Sequence, residues 1–116
     1  MIIYGIKNCD TMKKAFTWLN ENGFEYTFHD YKTEGISKKK IEEWLKHLPM
    51  DQIINTKGTT YKNLSETEKA SISDKDKATE LIMKNNSMIK RPVLEFGKDL
   101  LLGFKAEIWE STLVKK

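Results

Sequence analysis

The pattern of apolar and polar positions predicts that the chain opens with a strand, a helix and a second strand. Residues 2–6 form a short apolar run that is typical of a buried strand. Over residues 10–22, apolar side chains recur at spacings of three and four, which places them on one face of a helix. Asp10 or Asn8 is expected to cap this helix, and Asn22-Gly23 to end it. Alternation over residues 25–31 predicts the second strand, so the opening unit is β-α-β.

The middle of the chain has a helical pattern. Residues 38–48 carry an apolar stripe and are followed by Pro49, which is expected to end that helix. Residues 50–64 are rich in turn-forming residues. Ser65 and Glu68 have the spacing of a capping box at the start of a short helix over residues 65–72. Asp74 or Asp76 is expected to open a further helix that runs to residue 86.

The last third of the chain predicts two strands and a closing helix. After a linker over residues 88–92, apolar runs at 93–96 and 100–102 flank a three-residue turn, which indicates a hairpin. Residues 105–114 have a helical pattern. The complete order is β-α-β, a helical middle and β-β-α. We therefore expect an α/β protein with one mixed sheet, in the thioredoxin-like arrangement with a helical insertion at about residues 36–86 of a single domain spanning 1–116.

Composition narrows the class of protein. The 116 residues are the size of one domain, and 39% hydrophobic with 32% charged residues is ordinary for a globular chain. A net charge of +3, with both signs mixed along the sequence, argues against direct binding of nucleic acid. No apolar run approaches the ~20 residues that cross a bilayer, and the first residues do not have the pattern of a signal peptide. We expect a cytoplasmic protein without a membrane partner.

Cys9 is the main candidate for chemistry. It is the single cysteine, so an intramolecular disulfide and a cysteine-based metal cluster are both impossible. It lies between the first strand and the first helix, where free backbone amides and the helix dipole favour a negative charge such as a thiolate. Lys7, Lys13 and Arg91 can add positive charge there, whereas Asp10 acts in the opposite direction. The alternative is that Cys9 is an inert core residue.

Arg91 is the second candidate because it is the single arginine among 20 basic residues. Arginine differs from lysine where a planar fork must hold an oxyanion or a carboxylate at two points. Pro92 follows it directly before an apolar strand, a place where a proline can be cis. In a thioredoxin-like fold the loop before the third strand faces the loop after the first, which would bring both residues beside Cys9. The alternative is a proline that begins a strand, preceded by a solvent-exposed arginine.

The remaining polar and aromatic candidates have simpler interpretations. His29 and His47 are interpreted as structural or surface residues, and with one cysteine beside them a zinc site is not expected. The three tryptophans lie at the spacing of core positions on predicted helices and are interpreted as packing residues. Their positions are Trp18, Trp44 and Trp109.

Three segments of the sequence resemble the arsenate reductase (ArsC)/Spx/YffB family, in the right order and over nearly the whole chain. They are residues 4–15 (YGIKNCDTMKKA), 55–64 (NTKGTTYKNL) and 89–93 (IKRPV), together with Gly103-Phe104 and Trp109. The resemblance is greatest to the YffB-like branch, which is described as glutathione-dependent thiol reductases. It implies the thioredoxin-like fold with a helical insertion, and it implies that Cys9 is the nucleophile and Arg91 the arginine before a cis proline.

The resemblance also implies a substrate site and a co-substrate. The expected substrate-binding residues are Arg91, Pro92, Asn8, Asn55 and Lys13. No bound cofactor is expected. Glutathione is the expected co-substrate, and either glutathione or a glutathionylated substrate is the expected partner. The leading hypothesis is therefore a thiol-disulfide oxidoreductase with one catalytic thiol.

Two departures from the family pattern define the alternatives. Arsenate reductases of this family that work with glutaredoxin hold the oxyanion with three arginines, but here Asn55 and Gly103-Phe104 stand near two of those positions. If the protein is arsenate reductase-like, its oxyanion site thus has fewer arginines than that of those enzymes. Spx-type regulators use a Cys-x-x-Cys switch, whose second cysteine is replaced here by Met12. A non-enzymatic, Spx-like adaptor that binds RNA polymerase without that switch remains an alternative.

Overall fold

A computed structural model describes residues 1–7 and 9–114 of the chain. Its four strands are β1 (Ile2–Gly5), β2 (Thr27–Asp30), β3 (Val93–Phe96) and β4 (Asp99–Leu102). Its α-helices are α1 (Asp10–Glu21), α2 (Tyr31–Glu34), α3 (Lys38–Leu45), α4 (Met50–Ile53), α5 (Thr59–Lys62), α6 (Glu66–Ser71), α7 (Lys75–Lys84) and α8 (Ala106–Trp109). A 3₁₀ turn over Asn86–Met88 precedes β3, and a π-helical segment over Glu110–Val114 continues α8.

The four strands form one mixed sheet in the order β2-β1-β3-β4. β1 and β2 are parallel and joined by α1, while β3 is antiparallel to both β1 and β4. Tyr4 at the centre of this register lies opposite His29 on one side and Val93 on the other. This is the predicted thioredoxin-like arrangement, with helices inserted between β2 and β3. The predicted fold class is thus confirmed.

The chain divides into two compact units. The first consists of Met1–Tyr31 and the chain from Arg91 onward, and the second is Lys32–Lys90. The first unit holds the whole sheet together with α1 and α8, and the second holds α3 to α7. The expectation of a single domain with its insertion at about residues 36–86 remains a prediction.

In the first unit, one face of the sheet packs on α1 and on the C-terminal helical segment. Its buried residues are Ile3, Met12, Ala15, Leu19, Leu94, Trp109 and Leu113. α1 presents its apolar row to the sheet because Met12, Ala15 and Leu19 follow each other at spacings of three and four. A Cβ atom at Gly5 would overlap the Met12 side chain, so glycine lets the helix approach the end of β1 closely.

In the second unit, polar caps define where the helices begin. The Ser37 side chain accepts from the Lys40 amide at the start of α3. At α6, Ser65 and the Glu68 side chain bond to each other's backbone amides, so the predicted capping box is confirmed. The Asp74 carboxylate accepts hydrogen bonds at the start of α7, which decides between the two predicted caps in favour of Asp74.

Several predicted boundaries in the helical middle were wrong. The helix predicted over residues 38–48 ends at Leu45, because the Lys46 and His47 amides bond to carbonyls only three residues back. Pro49 then serves as the N-cap of α4. The stretch predicted as turn-rich contains the two one-turn helices α4 and α5.

Two boundaries near the end of the chain also differ from the prediction. The hairpin turn consists of Gly97 and Lys98 only, because Asp99 already pairs with Phe96 in the ladder. Gly97 has φ of 57°, a conformation that glycine adopts without strain. The helix predicted over residues 105–114 is a short α-helix that continues as a π-helical segment. Of the helices over residues 1–7 and 9–114, none is long and apolar enough to cross a membrane.

Candidate functional site

Cys9 is the N-cap residue of α1, in the connection that follows β1. Its backbone is extended, with φ of −112° and ψ of 127°, and its carbonyl accepts the first helical hydrogen bond, from the Lys13 amide at 3.0 Å. The amides of the first turn are therefore directed out of the helix start, on the side of Cys9. The thiol is free and half-buried against the core of the first unit. The arrangement places a free thiol beside backbone amides that can donate to a bound anion.

The prediction that Asp10 caps this helix was wrong. Asp10 is the first residue of α1, so its own backbone is already helical and the capping position belongs to Cys9. Within the described part of the chain, the Cys9 side chain makes no capping hydrogen bond. The Asp10 carboxylate is exposed in the first turn, where the helix dipole favours it. The other predicted cap, Asn8, lies outside the described residues, and so does its predicted role in substrate binding.

Arg91 and Pro92 directly precede β3, and the peptide bond between them is cis. Pro92 is buried, and its carbonyl accepts a hydrogen bond of 2.8 Å from the Gly103 amide at the end of β4. Arg91 is half-buried. This hydrogen bond ties the pair to the end of β4. The sequence left the isomer of Pro92 open, and the structure has it as cis.

The sheet register places the two candidates at the same end of the sheet. β1 and β3 are antiparallel neighbours, with Tyr4 opposite Val93. The chain leaves β1 toward Cys9 at the end where it enters β3 from Arg91-Pro92. Both segments belong to the first unit. The expectation that Arg91 and Pro92 lie beside Cys9 stays a prediction.

A group of polar aromatic residues on the first unit was missed by the sequence analysis. The Tyr4 hydroxyl donates to the Glu95 carboxylate over 2.7 Å, which links β1 and β3. The Tyr4 ring lies 4.9 Å from the His29 ring and 6.3 Å from the Tyr31 ring, measured between centroids. His29 therefore has ring contacts that fit its interpretation as a structural residue. A signal was present in the sequence, since Glu95 interrupts an otherwise apolar strand.

The pKa of Tyr31 depends on electrostatic interactions with this group and with Arg91. Burial raises the pKa of the Tyr31 phenol well above 10, and the neighbouring Tyr4 and Glu95 raise it further. The Arg91 guanidinium acts in the opposite direction and lowers the pKa of Tyr31. Arg91 is thus near enough to the buried Tyr31 phenol for its positive charge to affect the pKa of that phenol. We refer to Tyr4, His29, Tyr31 and Glu95 as the tyrosine cluster.

The other predicted substrate-binding residues differ in their placement. Lys13 is exposed in the first turn of α1 and belongs to the same unit as Cys9. Asn55 belongs to the second unit, where its amide donates to the Met88 carbonyl at 2.7 Å and its side-chain oxygen accepts from the Lys57 amide at 3.2 Å. Asn55 therefore has a local structural role, and its contact with substrate stays a prediction.

The tryptophans and the candidate metal ligands can be placed as well. Trp44 and Trp109 are buried and Trp18 is half-buried, so their interpretation as packing residues is confirmed. The Trp109 indole also donates to the Gly103 carbonyl at 3.1 Å, which fixes the loop after β4. Across residues 1–7 and 9–114, no three His, Cys, Asp or Glu side chains gather where they could hold a metal ion.

Known proteins resemble this chain in sequence and in structure. A solved structure named "YFFB (PA3664) protein" has 46% sequence identity and a TM-score of 0.92, and the match covers 97% of this chain and 98% of that one. An uncharacterized protein of Haemophilus influenzae is 35% identical over 109 residues, which is 94% of this chain and 95% of the relative. The global transcriptional regulator Spx of Streptococcus mutans is 25% identical over 103 residues, or 86% of this chain and 73% of the regulator.

The family model that describes the ArsC family matches residues 4–112. That range includes Cys9, the Arg91-Pro92 bond and all but the first residues of the sheet. Together with the relatives that align over nearly the whole chain, the match confirms the resemblance on which the sequence analysis relied. The chain belongs to the ArsC family.

Proposed function

We propose that this protein is a thiol-disulfide oxidoreductase in which Cys9 is the single catalytic thiol and glutathione is the co-substrate. The observation that carries the proposal is the position of Cys9 at the N-cap of α1, half-buried and beside the outward-directed amides of the first turn. Thiol-disulfide exchange begins with attack by a cysteine thiolate, and the amides of the first turn can donate to an anionic group bound beside Cys9. Membership of the ArsC family supports thiol chemistry of this kind.

The reaction proceeds by two exchanges. The Cys9 thiolate attacks the glutathione sulfur of a glutathionylated protein. A Cys9–glutathione disulfide forms, the substrate disulfide breaks, and the substrate cysteine leaves as a thiolate that takes up a proton. A second glutathione, as its thiolate, then attacks the sulfur of the bound glutathione. This step releases glutathione disulfide and restores the Cys9 thiolate. The second thiol must come from outside the chain, because Cys9 is its single cysteine.

Arg91 is proposed to hold a carboxylate of glutathione. Its planar guanidinium offers a two-point contact that lysine lacks. Arg91 precedes β3 at the same end of the sheet at which the chain leaves β1 toward Cys9. Lys13, Asn8, Asn55 and the Pro92 backbone are the further substrate-binding residues in this proposal. Arg91→Lys keeps the positive charge and removes the fork, so we expect a rise in KM for glutathionylated substrate with a smaller effect on kcat.

The test is turnover of a glutathionylated peptide with reduced glutathione, followed through the glutathione disulfide that is released. We expect Cys9→Ser to reduce turnover to the uncatalysed background. We also expect mass spectrometry of the wild type, treated with glutathione disulfide, to find one glutathione on Cys9. Thr67→Ser, a conservative change at an exposed position of α6, serves as the control for handling and folding. Wild-type turnover by Cys9→Ser contradicts the proposal.

A second candidate function is supported by the 25% identical relative named as the global transcriptional regulator Spx. In this alternative the protein is an adaptor that binds RNA polymerase and performs no thiol chemistry. Binding of purified RNA polymerase under reducing conditions separates the two functions. A stoichiometric complex that is unchanged in Cys9→Ala, together with background turnover by the wild type, favours the adaptor. Turnover that depends on Cys9 without a complex favours the oxidoreductase.

A further inference from the structure

An open groove lies along α1 in the first unit and has a volume of about 390 Å³, within the range of ~300–1,000 Å³ found for ligand sites. Its lining includes five residues of α1 and one of the loop after β4, namely Lys13, Lys14, Thr17, Trp18, Glu21 and Phe104. We propose that this groove binds an acidic, aromatic segment of the protein substrate, next to the cysteine whose disulfide Cys9 attacks. The inference rests on the proposed thiol exchange and names the class of its substrate.

The groove begins one helical turn from Cys9. Lys13 follows Cys9 by four residues and Thr17 follows it by eight. Residues four apart lie on the same side of a helix, so all three share one side of α1. Eight residues at a rise of ~1.5 Å place Thr17 about 12 Å from Cys9 along the axis. An extended peptide covers that distance in about three to four residues. A substrate whose glutathionylated cysteine is held at Cys9 during the exchange therefore reaches the groove with its neighbouring residues.

The wall of the groove distinguishes a protein substrate from glutathione. Trp18 and Phe104 are half-buried, with ring centroids 6.4 Å apart and planes inclined at 61°, so they present apolar ring surface to the groove. A third aromatic ring covers such a surface well, because tilted aromatic pairs are favourable. Glutathione carries no aromatic ring, and so it cannot cover these two side chains. The apolar wall therefore fits the protein part of the substrate.

The charges along the groove define the order of the substrate residues. Lys13 and Lys14 are exposed at the end nearest Cys9, and Glu21 lies at the far end. Charge complementarity then places acidic residues close to the substrate cysteine and an aromatic residue beyond them, over Trp18. A basic residue is favoured last, beside Glu21. The preferred order away from the cysteine is acidic, aromatic, basic.

The first test measures binding without thiol chemistry. A fluorescent peptide Ser-Gly-Asp-Asp-Phe-Ala-Lys replaces the substrate cysteine by serine, and its charge-reversed partner is Ser-Gly-Lys-Lys-Phe-Ala-Glu. Fluorescence anisotropy with the full chain is expected to give a Kd at least about tenfold lower for the acidic peptide. Lys14→Glu is expected to weaken that binding about fivefold to tenfold. The matched control, Lys98→Glu in the exposed hairpin turn, is expected to leave it unchanged.

The second test measures exchange, with the two peptides carrying a glutathionylated cysteine in place of serine. We expect kcat/KM to be about tenfold higher for the acidic peptide. Equal binding and equal turnover of both peptides would overturn the groove proposal and leave the thiol mechanism standing. Preferential binding of the acidic serine peptide, with no turnover of either glutathionylated peptide, supports the groove as a peptide site and refutes the thiol mechanism. Loss of binding in Lys98→Glu to the same extent as in Lys14→Glu also overturns the groove proposal.

Discussion

Raising the pH above 10 is expected to destabilise the first unit through Tyr31. Its side chain is 1% exposed, and burial raises the pKa of its phenol well above the ordinary value of 10.0, with Tyr4 and Glu95 adding to the effect and Arg91 opposing it. The folded protein therefore keeps this proton at a pH where the unfolded chain has released it. The stabilisation is complete below about pH 10 and is lost as the pH rises toward the folded-state pKa.

The magnitude follows from proton linkage for one phenol. With an unfolded-state pKa of about 10 and a raised folded-state pKa, the free energy of unfolding falls by up to about 0.4 kcal/mol at pH 10 and by up to about 1.4 kcal/mol at pH 11. Tyr31→Phe has no phenol proton to release. Its free energy of unfolding therefore does not fall with pH for this reason.

The assay is urea unfolding of the wild type and of Tyr31→Phe, followed by circular dichroism from about pH 8 to about pH 11. The stability difference between the two proteins removes the contributions of the lysines and the other tyrosines, which both proteins share. We expect this difference to shift against the wild type by about 1 kcal/mol between pH 10 and pH 11. A difference that stays constant over the whole range would refute the reasoning.

Three further changes are expected to lower the free energy of unfolding, each measured by urea denaturation at neutral pH. Tyr4→Phe removes the 2.7 Å hydrogen bond to Glu95 and is expected to cost about 1.5–3 kcal/mol, because one partner is a carboxylate. Ser65→Ala removes half of the capping box of α6 and is expected to cost about 1 kcal/mol. Gly5→Ala adds a Cβ atom that overlaps Met12 and is expected to cost about 1–3 kcal/mol.

Two of these changes, Ser65→Ala and Gly5→Ala, have a control. Thr67→Ala alters an exposed position of α6 whose side chain is not a member of the capping box, and it is expected to stay within about 0.5 kcal/mol of the wild type. An equal loss in Ser65→Ala and Thr67→Ala contradicts the capping argument. If the Met12 contact is the cause of the Gly5 effect, Gly5→Ala combined with Met12→Ala costs less than the sum of the single changes. Strict additivity contradicts that cause.

The parts of the fold that could be predicted from the sequence are those that local signals specify. α1 has an apolar row and a stop at Asn22-Gly23, and α6 has a capping box. The one-turn helices α4 and α5 could not be predicted, because four residues are too few to show a period. The pairing of Ile54 with Ile89, a residue of the predicted linker, also could not be predicted, since an isolated bridge leaves no alternating pattern.

The candidate site was predictable to the extent that topology determines it. Once β1 and β3 are antiparallel neighbours, the connection to Cys9 and the entry from Arg91 must share one end of the sheet. The tyrosine cluster and the groove could not be found in this way. Both depend on residues that are distant in the sequence, such as Phe104 beside Trp18, and no local pattern records that contact.

The Tyr4–Glu95 hydrogen bond connects the stability of the sheet with the geometry of the site. Tyr4 lies one residue from the end of β1, and Glu95 lies in the strand that Arg91-Pro92 enters. A slip of β3 by one residue would turn Glu95 to the opposite face of the sheet and move Arg91 along the edge by about 3.3 Å. The bond therefore favours the one register in which Arg91 has its observed position relative to β1. Under the role proposed for Arg91, loss of this bond is expected to raise KM for a glutathionylated peptide more than it lowers kcat.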